Sequence, residues 1–359
     1  MQRFGFIIHP ISVKDMARKY AFASKLPDSW VERAVSFIPP MTASHITGVQ
    51  SITGVEAEGW FIGVPLTPRL MTKGLPEKKV LEKIIAAGQK AADHGAKIVG
   101  LGAFTSVVGD AGVTVARELD IAVTTGNTFT AATALQGIDY AAGLMEMDLD
   151  KAEIAVLGAS GSIGKACARI LARSGRRLTV VARDRGRLDE VASLIKEESG
   201  NVVKVETDLA AAVRTADVVV AVTSSLESVV NAADLKSGAI VCDVSRPRNV
   251  SKAVAESRRD VLVFEGGVVA VPGNVDFHFN FGFPEHMSYA CMAETMILAL
   301  AGRYEDFSIG RDLDVAKVDE ISELAKVHGF RLAGLRSFER AMTESAIKEV
   351  KHNAKHMAR

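Results

Sequence analysis

The glycines of Gly158-Ala159-Ser160-Gly161-Ser162-Ile163-Gly164 stand between a short apolar run, residues 154–157, and a stretch of helical periodicity that starts at Lys165. Strand, tight turn and helix in that order are what a bound pyrophosphate requires. The first glycine permits the turn, the middle one lets the backbone approach the phosphates, and the last lets helix and strand pack closely. Ser160, Gly161, Ser162 and Ile163 would then offer amides at a helix N-terminus, where anions are favoured. The spacing is Gly-x-x-Gly-x-x-Gly, a variant of the commoner dinucleotide pattern; a glycine-rich turn without ligand is the alternative. One strand later the chain reads Ala182-Arg183-Asp184-Arg185-Gly186-Arg187. An acidic residue there would hold a ribose 2′-hydroxyl, whereas arginine accommodates a 2′-phosphate. Arg183 and Arg185 therefore predict NADPH, unless they serve only as surface charges beside Asp184, Asp189 and Glu190. Thr223, after the fourth strand of this region, is predicted to lie along the nicotinamide side.

Cys167, Cys242 and Cys291 are too few and too far apart for a disulfide framework, and they lack the paired spacing of a zinc site. No metal is predicted. Cys167 falls inside the helix after the glycine turn and Cys242 inside an apolar strand, so both read as core thiols. Cys291 falls near the start of an apolar helix, with Glu294 three residues on along the same face. With Ser288 as N-cap, the helix dipole would favour a thiolate at Cys291. With Pro284 as first helical residue, Cys291 would lie in the third turn and lose that benefit. A nucleophile and a packed thiol both stay open. Just before this helix, Phe277, Phe279, Phe281 and Phe283 alternate, so an extended chain would put all four on one face, as core or as the wall of an apolar substrate site.

These residues need elements to hold them. Six short apolar strands, separated by helical patterns, fill about 115 residues after residue 150, as a doubly wound parallel sheet requires. Upstream, a strand at 4–9, a helix at 13–24, a hairpin about Gly54, an amphipathic helix ending near Gly95 and strands at 98–102 and 121–124 predict a second α/β domain. The expected fold class is α/β, a Rossmann-type sheet plus an α/β substrate domain completed by C-terminal helices. The expected boundaries are 1–130 for the substrate domain, 131–284 for the cofactor domain, and 285–359 for helices packing back on the substrate domain. One of those helices is predicted over 335–351.

Lys+Arg and Asp+Glu are both 43, so no basic excess invites nucleic acid. No run approaches the roughly 20 apolar residues that span a bilayer, and the first ten residues carry too short an apolar run for a signal peptide. A cytoplasmic protein is expected.

Several segments together resemble the long-chain acyl-[acyl-carrier-protein] reductase family, which forms aldehydes. They are Leu101-Gly102-Ala103-Phe104-Thr105-Ser106-Val107-Val108, Thr124-Thr125-Gly126-Asn127-Thr128, the glycine turn, Glu265-Gly266-Gly267-Val268-Val269, Tyr289-Ala290-Cys291-Met292-Ala293-Glu294 and Val327-His328-Gly329-Phe330. They occur in the family's order across most of residues 4–330. The resemblance implies NADPH-dependent reduction of a fatty acyl thioester, on acyl carrier protein or coenzyme A, with Cys291 in the nucleophile's position. Within its motifs, Asn127 and Ser106 are candidates to stabilise an oxyanion, or else turn and capping residues. Glu294 is a candidate to orient the thiol or move a proton. A partner enzyme that consumes the aldehyde is expected, since a long aldehyde is poorly soluble. The phenylalanine run and residues 331–359 depart from the family's pattern. Two rival readings are a shikimate- or amino-acid-dehydrogenase-like enzyme, which would want a Lys–Asp pair that the sequence does not obviously offer, and a non-catalytic NADPH-binding protein.

Overall fold

The computed structural model describes residues 1–13, 27–225, 227–280, 284–338 and 340–357. The helix predicted over 13–24 lies outside them except for Val13, as do Phe281 and Phe283. The chain divides into two compact units, residues 1–126, 270–311 and 320–331 in the first, and 127–269, 312–319 and 332–359 in the second. The C-terminal helices are shared between them. Ala290–Leu300 belongs to the first unit and Glu344–Met357 to the second, in place of one block joining the substrate domain.

The first unit is built on strands β1 (Gln2–Ile8), β2 (Met41–Gln50), β3 (Glu56–Gly63), β4 (Ile98–Leu101) and β5 (Ala122–Thr124). Their order is β2-β3-β1-β4-β5, with the strand Gly273–Asp276 added beside β2. β3, β1, β4 and β5 run parallel, while β2 and β3 form the predicted antiparallel hairpin. Alternate residues of β1 face opposite ways. Ile7 packs with Val80, Ile84 and Ala91 of the helix Glu77–Asp93. Phe6, on the other face, shares the space over Gly100 with Thr295 of the helix Ala290–Leu300. That helix is buried at ten of eleven positions, which is why its sequence is apolar all round. Cys291 is the exception.

The second unit carries β6 (Glu153–Leu157), β7 (Arg177–Val181), β8 (Lys204–Glu206), β9 (Val218–Ala221), β10 (Ile240–Asp243) and β11 (Leu262–Glu265). All six run parallel, in the order β11-β10-β9-β6-β7-β8. This is the predicted Rossmann sheet. β9, β10 and β11 are buried at every residue, so apart from the closing Asp243 and Glu265 they read as apolar runs without alternation. Asp184 and Asp208 start the following helices by accepting the amides of Arg187 and Ala211, each at 3.1 Å.

The helix predicted from residue 335 starts at Glu344. Arg336–Ser337 and Arg340–Ala341 pair as a short ribbon instead, flanked or turned by Gly334 and Phe338 at φ +74° and +48°. Thr343 accepts the amide of Ala346 at 3.2 Å and so opens the helix. Apolar periodicity runs through that ribbon and hides the break.

Candidate functional site

In the second unit the strand order reverses between β6 and β9, which is where such sheets take ligands, beyond the carboxyl ends of the strands. The glycine turn leaves β6 at that edge. Gly158 has φ +85°, and a Cβ there would come within 2.5 Å of the Val222 carbonyl oxygen. A Cβ on Gly164 would overlap the carbonyl of Gly158. Gly161 is exposed, and its nearest obstruction would be the Gly158 oxygen at 3.3 Å, so its outer side is open. Gly161 is also the N-cap of the helix Ser162–Arg173 and supplies no side-chain cap. The first amides of that helix have no partner within it, and Ser160, Ser162 and Ile163 are only half-buried beside it. This donor set fits a pyrophosphate.

Arg183 follows the end of β7, is exposed, and makes no hydrogen bond or ion pair among the described residues. Arg185 differs, since its Nε donates to Asp189 at 3.0 Å. Thr223 lies just past β9, with its amide donating to Asn249 Oδ1 at 2.9 Å. Asn127 opens the helix Asn127–Met145 in this same unit, is buried, and donates from Nδ2 to Ser162 Oγ at 3.4 Å. It touches the glycine turn.

In the first unit Tyr289 is the N-cap of the helix Ala290–Leu300, which makes Cys291 the second helical residue. Neither Ser288 nor Pro284 starts the helix, but the first-turn placement holds. Cys291 is half-buried, whereas Cys167 and Cys242 are fully buried. Burial pushes the Cys167 thiol up to about 12 and holds Cys242 well above the ordinary thiol range. Both are inert core thiols.

The start of this helix is held from two sides. Gly126, at φ +74°, follows β5 so closely that a Cβ would overlap the Cα and Cβ of Cys291. Glu294 is fully buried, and its Oε1 accepts the hydroxyls of Thr124 at 2.5 Å and Ser308 at 2.6 Å. Ser308 is further tied to Thr125, accepting its amide at 3.2 Å. Glu294 is thus locked into the end of β5. Ser308 was not singled out by sequence, and Thr124 entered only as the first residue of the motif 124–128, with no role assigned to it. Ser106 is buried and donates to the carbonyl of Ala103 at 2.6 Å within the turn Ala103–Ser106. That is a turn-forming bond.

Phe277 is buried and stacks on Phe61 with centroids 6.0 Å apart; Phe279 meets the same ring edge-on at 5.7 Å and stays 38 % exposed. Among the described residues no cluster of three metal-ligating side chains exists, and no helix is long and apolar enough to cross a membrane.

Comparison with known proteins follows the same division. A shikimate / quinate 5-dehydrogenase family model matches residues 140–265, within the second unit. Aminotransferase PigE of a Serratia species is 30% identical over 351 residues, 94% of this chain, but this chain spans only 40% of that relative's length. The long-chain acyl-[acyl-carrier-protein] reductase of Synechococcus elongatus is 30% identical over 349 residues, covering 91% of this chain and 98% of the relative. Among solved structures, L-tryptophan dehydrogenase from Nostoc punctiforme is 15% identical, with 99% of this chain and 89% of that one covered and a TM-score of 0.43. The second unit binds a nicotinamide dinucleotide, and the protein is an oxidoreductase of the Rossmann dehydrogenase type. By its match along nearly the whole of the Synechococcus relative, the chain belongs to the long-chain acyl-[acyl-carrier-protein] reductase family.

Proposed function

We propose that this protein reduces a long-chain fatty acyl thioester, carried on acyl carrier protein or coenzyme A, to the aldehyde at the expense of NADPH. One observation carries the reading: of three cysteines, only Cys291 is accessible, and it sits at the second position of an uncapped helix. A helix N-terminus favours the thiolate, the form that attacks. The Cys291 thiolate sulfur bonds to the thioester carbonyl carbon, the bond to the carrier sulfur breaks, and the carrier leaves as a thiolate that takes a proton from water. A bound reduced nicotinamide would be the source of hydride for the acyl carbonyl held on Cys291. The carbon–sulfur bond to Cys291 then breaks, releasing aldehyde and returning the thiolate.

The other residues take narrower roles. The amides of the glycine turn bind the pyrophosphate, and Arg183, which has no partner among the described residues, grips the 2′-phosphate. Asn127 is the remaining candidate to donate to an oxyanion, because the Ser106 hydroxyl is engaged by Ala103. Glu294, accepting two hydroxyls, fixes the helix start. Phe277 and Phe279 line a path for the acyl chain. A second enzyme that takes up the aldehyde is a fitting partner.

The test uses radioactive palmitoyl-CoA. Wild-type protein should become labelled without NADPH and release aldehyde when NADPH is added. Cys291→Ser should do neither; aldehyde formation by that variant would refute the covalent route.

A further inference from the structure

Asn249 belongs to the loop after β10, yet it gathers bonds from three segments at the carboxyl edge of the cofactor sheet. It is fully buried. Its Oδ1 accepts the amide of Thr223 at 2.9 Å and the hydroxyl of Ser245 at 2.8 Å. Its backbone carbonyl accepts Ser228 Oγ at 2.9 Å and the amides of Val229 and Val230 at 2.9 and 3.2 Å. The loop that carries it is anchored in turn, since Asp243, the last residue of β10, accepts the amides of Ser245 at 3.0 Å and Val250 at 2.8 Å.

Two features separate this from ordinary loop packing. The Thr223 amide is a donor, so the atom facing it must be the side-chain oxygen, and the amide group cannot be flipped. The buried Nδ2 is then left with no partner among the described residues. An unmet donor is costly, and a residue kept despite it needs a compensating task. The second feature is place. Val222 and Thr223 are the atoms that Gly158 would strike if it carried a Cβ, so the strand end held by Asn249 is the wall of the glycine turn.

We propose that Asn249 is a positioning residue that sets Thr223 and its neighbours Ser224 and Ser225 beside the glycine turn, and so governs the hold on the nicotinamide half of the cofactor. Ser225, whose amide donates to Thr223 Oγ1 at 3.2 Å, is carried along with it. The adenosine half, bound near Arg183 at the end of β7, is left untouched. The inference rests on the NADPH reading above.

Affinities for NADPH and for adenosine 2′,5′-bisphosphate, which lacks the nicotinamide half, provide the test by calorimetry on the full chain. Asn249→Ala should weaken NADPH at least tenfold and leave the bisphosphate within twofold. Equal losses for both ligands, or none, would overturn the proposal. Asn249→Asp keeps the accepting oxygen and should restore the NADPH-to-bisphosphate ratio to within threefold of wild type. Should the alanine variant not fold, that ratio decides alone: an aspartate variant that folds but loses NADPH selectively overturns the role given to the oxygen. Wild-type protein that binds neither ligand overturns the cofactor reading, and this inference with it. Binding of both by the wild type with no split between variants overturns the inference only.

Discussion

The helices Ser162–Arg173 and Ala290–Leu300 both begin without a side-chain cap, but they are kept open by different means. In the second unit the contrast is internal. Asp184, Asp208 and Ser251 close the starts of three other helices by accepting an amide each, while Gly161 leaves its helix start exposed. The opening itself is formed by seven consecutive residues, with the ends of β7 and β9 beside them. The start at Ala290 is assembled from afar, with Gly126 against Cys291 and the hydroxyls of Thr124 and Ser308 on Glu294. The first opening is made of backbone, and the second of tertiary contacts. A ligand that every such enzyme shares can be held by a local motif; a reacting atom needs placement by the fold.

That distinction predicts opposite responses to one added methyl group. Gly126→Ala forces a side chain into a left-handed conformation and onto the backbone of Cys291. It should cost about 3 kcal/mol or more of stability, and a shift of the thiol by an ångström should cost activity on the order of a hundredfold. Gly161→Ala meets only the Gly158 oxygen, at 3.3 Å, with a backbone φ of −86° that alanine adopts freely. It should keep stability within about 1 kcal/mol while weakening NADPH, because the new methyl stands where the pyrophosphate approaches. Thermal unfolding and cofactor titration separate the two. Equal destabilisation by both variants would erase the distinction.

The same distinction explains what could be read in the chain. The cofactor sheet was legible because its strands are buried on both faces and its helix starts carry Gly or Asp at the expected places. The α/β character of the first unit was legible for similar reasons, through the hairpin at Gly54 and the helix ending at Gly95. Cys291 was legible as a candidate, but its position in the helix was not, since Ser288 and Pro284 are both sound helix starters and Tyr289 is not one. Thr124 and Ser308 lie 184 residues apart, and no spacing rule links them. The strand Gly273–Asp276 joins its sheet only through pairing with β2, a contact invisible to local pattern.

A second prediction concerns the loop that carries Asn249. Burial pushes the Asp243 carboxyl up to about 6, against the opposing pull of the Val250, Ser245 and Asn249 amides and the Arg246 charge. In the unfolded chain the group titrates near the ordinary carboxylate value, so between about pH 4 and 6 the folded protein holds a proton that the unfolded chain has lost. Stability from this group is therefore greatest below that window and falls as pH rises through it, by up to about 3 kcal/mol. Above pH 6 both states are ionised and the slope vanishes. Denaturant unfolding of wild type and Asp243→Asn across this range should give curves that diverge between pH 4 and 6 and run parallel above it. Curves parallel throughout would remove Asp243 as the source.

The smallest effects should come from the arginines at the end of β7, where the sequence pattern treats two residues alike and the structure does not. Arg185 already donates to Asp189, so a 2′-phosphate would have to compete for it. Arg183 has no such partner and can give both guanidinium donors to the phosphate. Arg183→Gln should lower the preference for NADPH over NADH by about ten- to a hundredfold, in line with loss of a charge-assisted pair of about 1.5–3 kcal/mol. Arg185→Gln should change it by less than about threefold, the scale of an exposed charge already paired. The ratio of kcat/KM for the two cofactors reads this directly. Reversal of that order would mean that the phosphate draws Arg185 away from Asp189, and that a free guanidinium in the unliganded chain is no guide to which one binds.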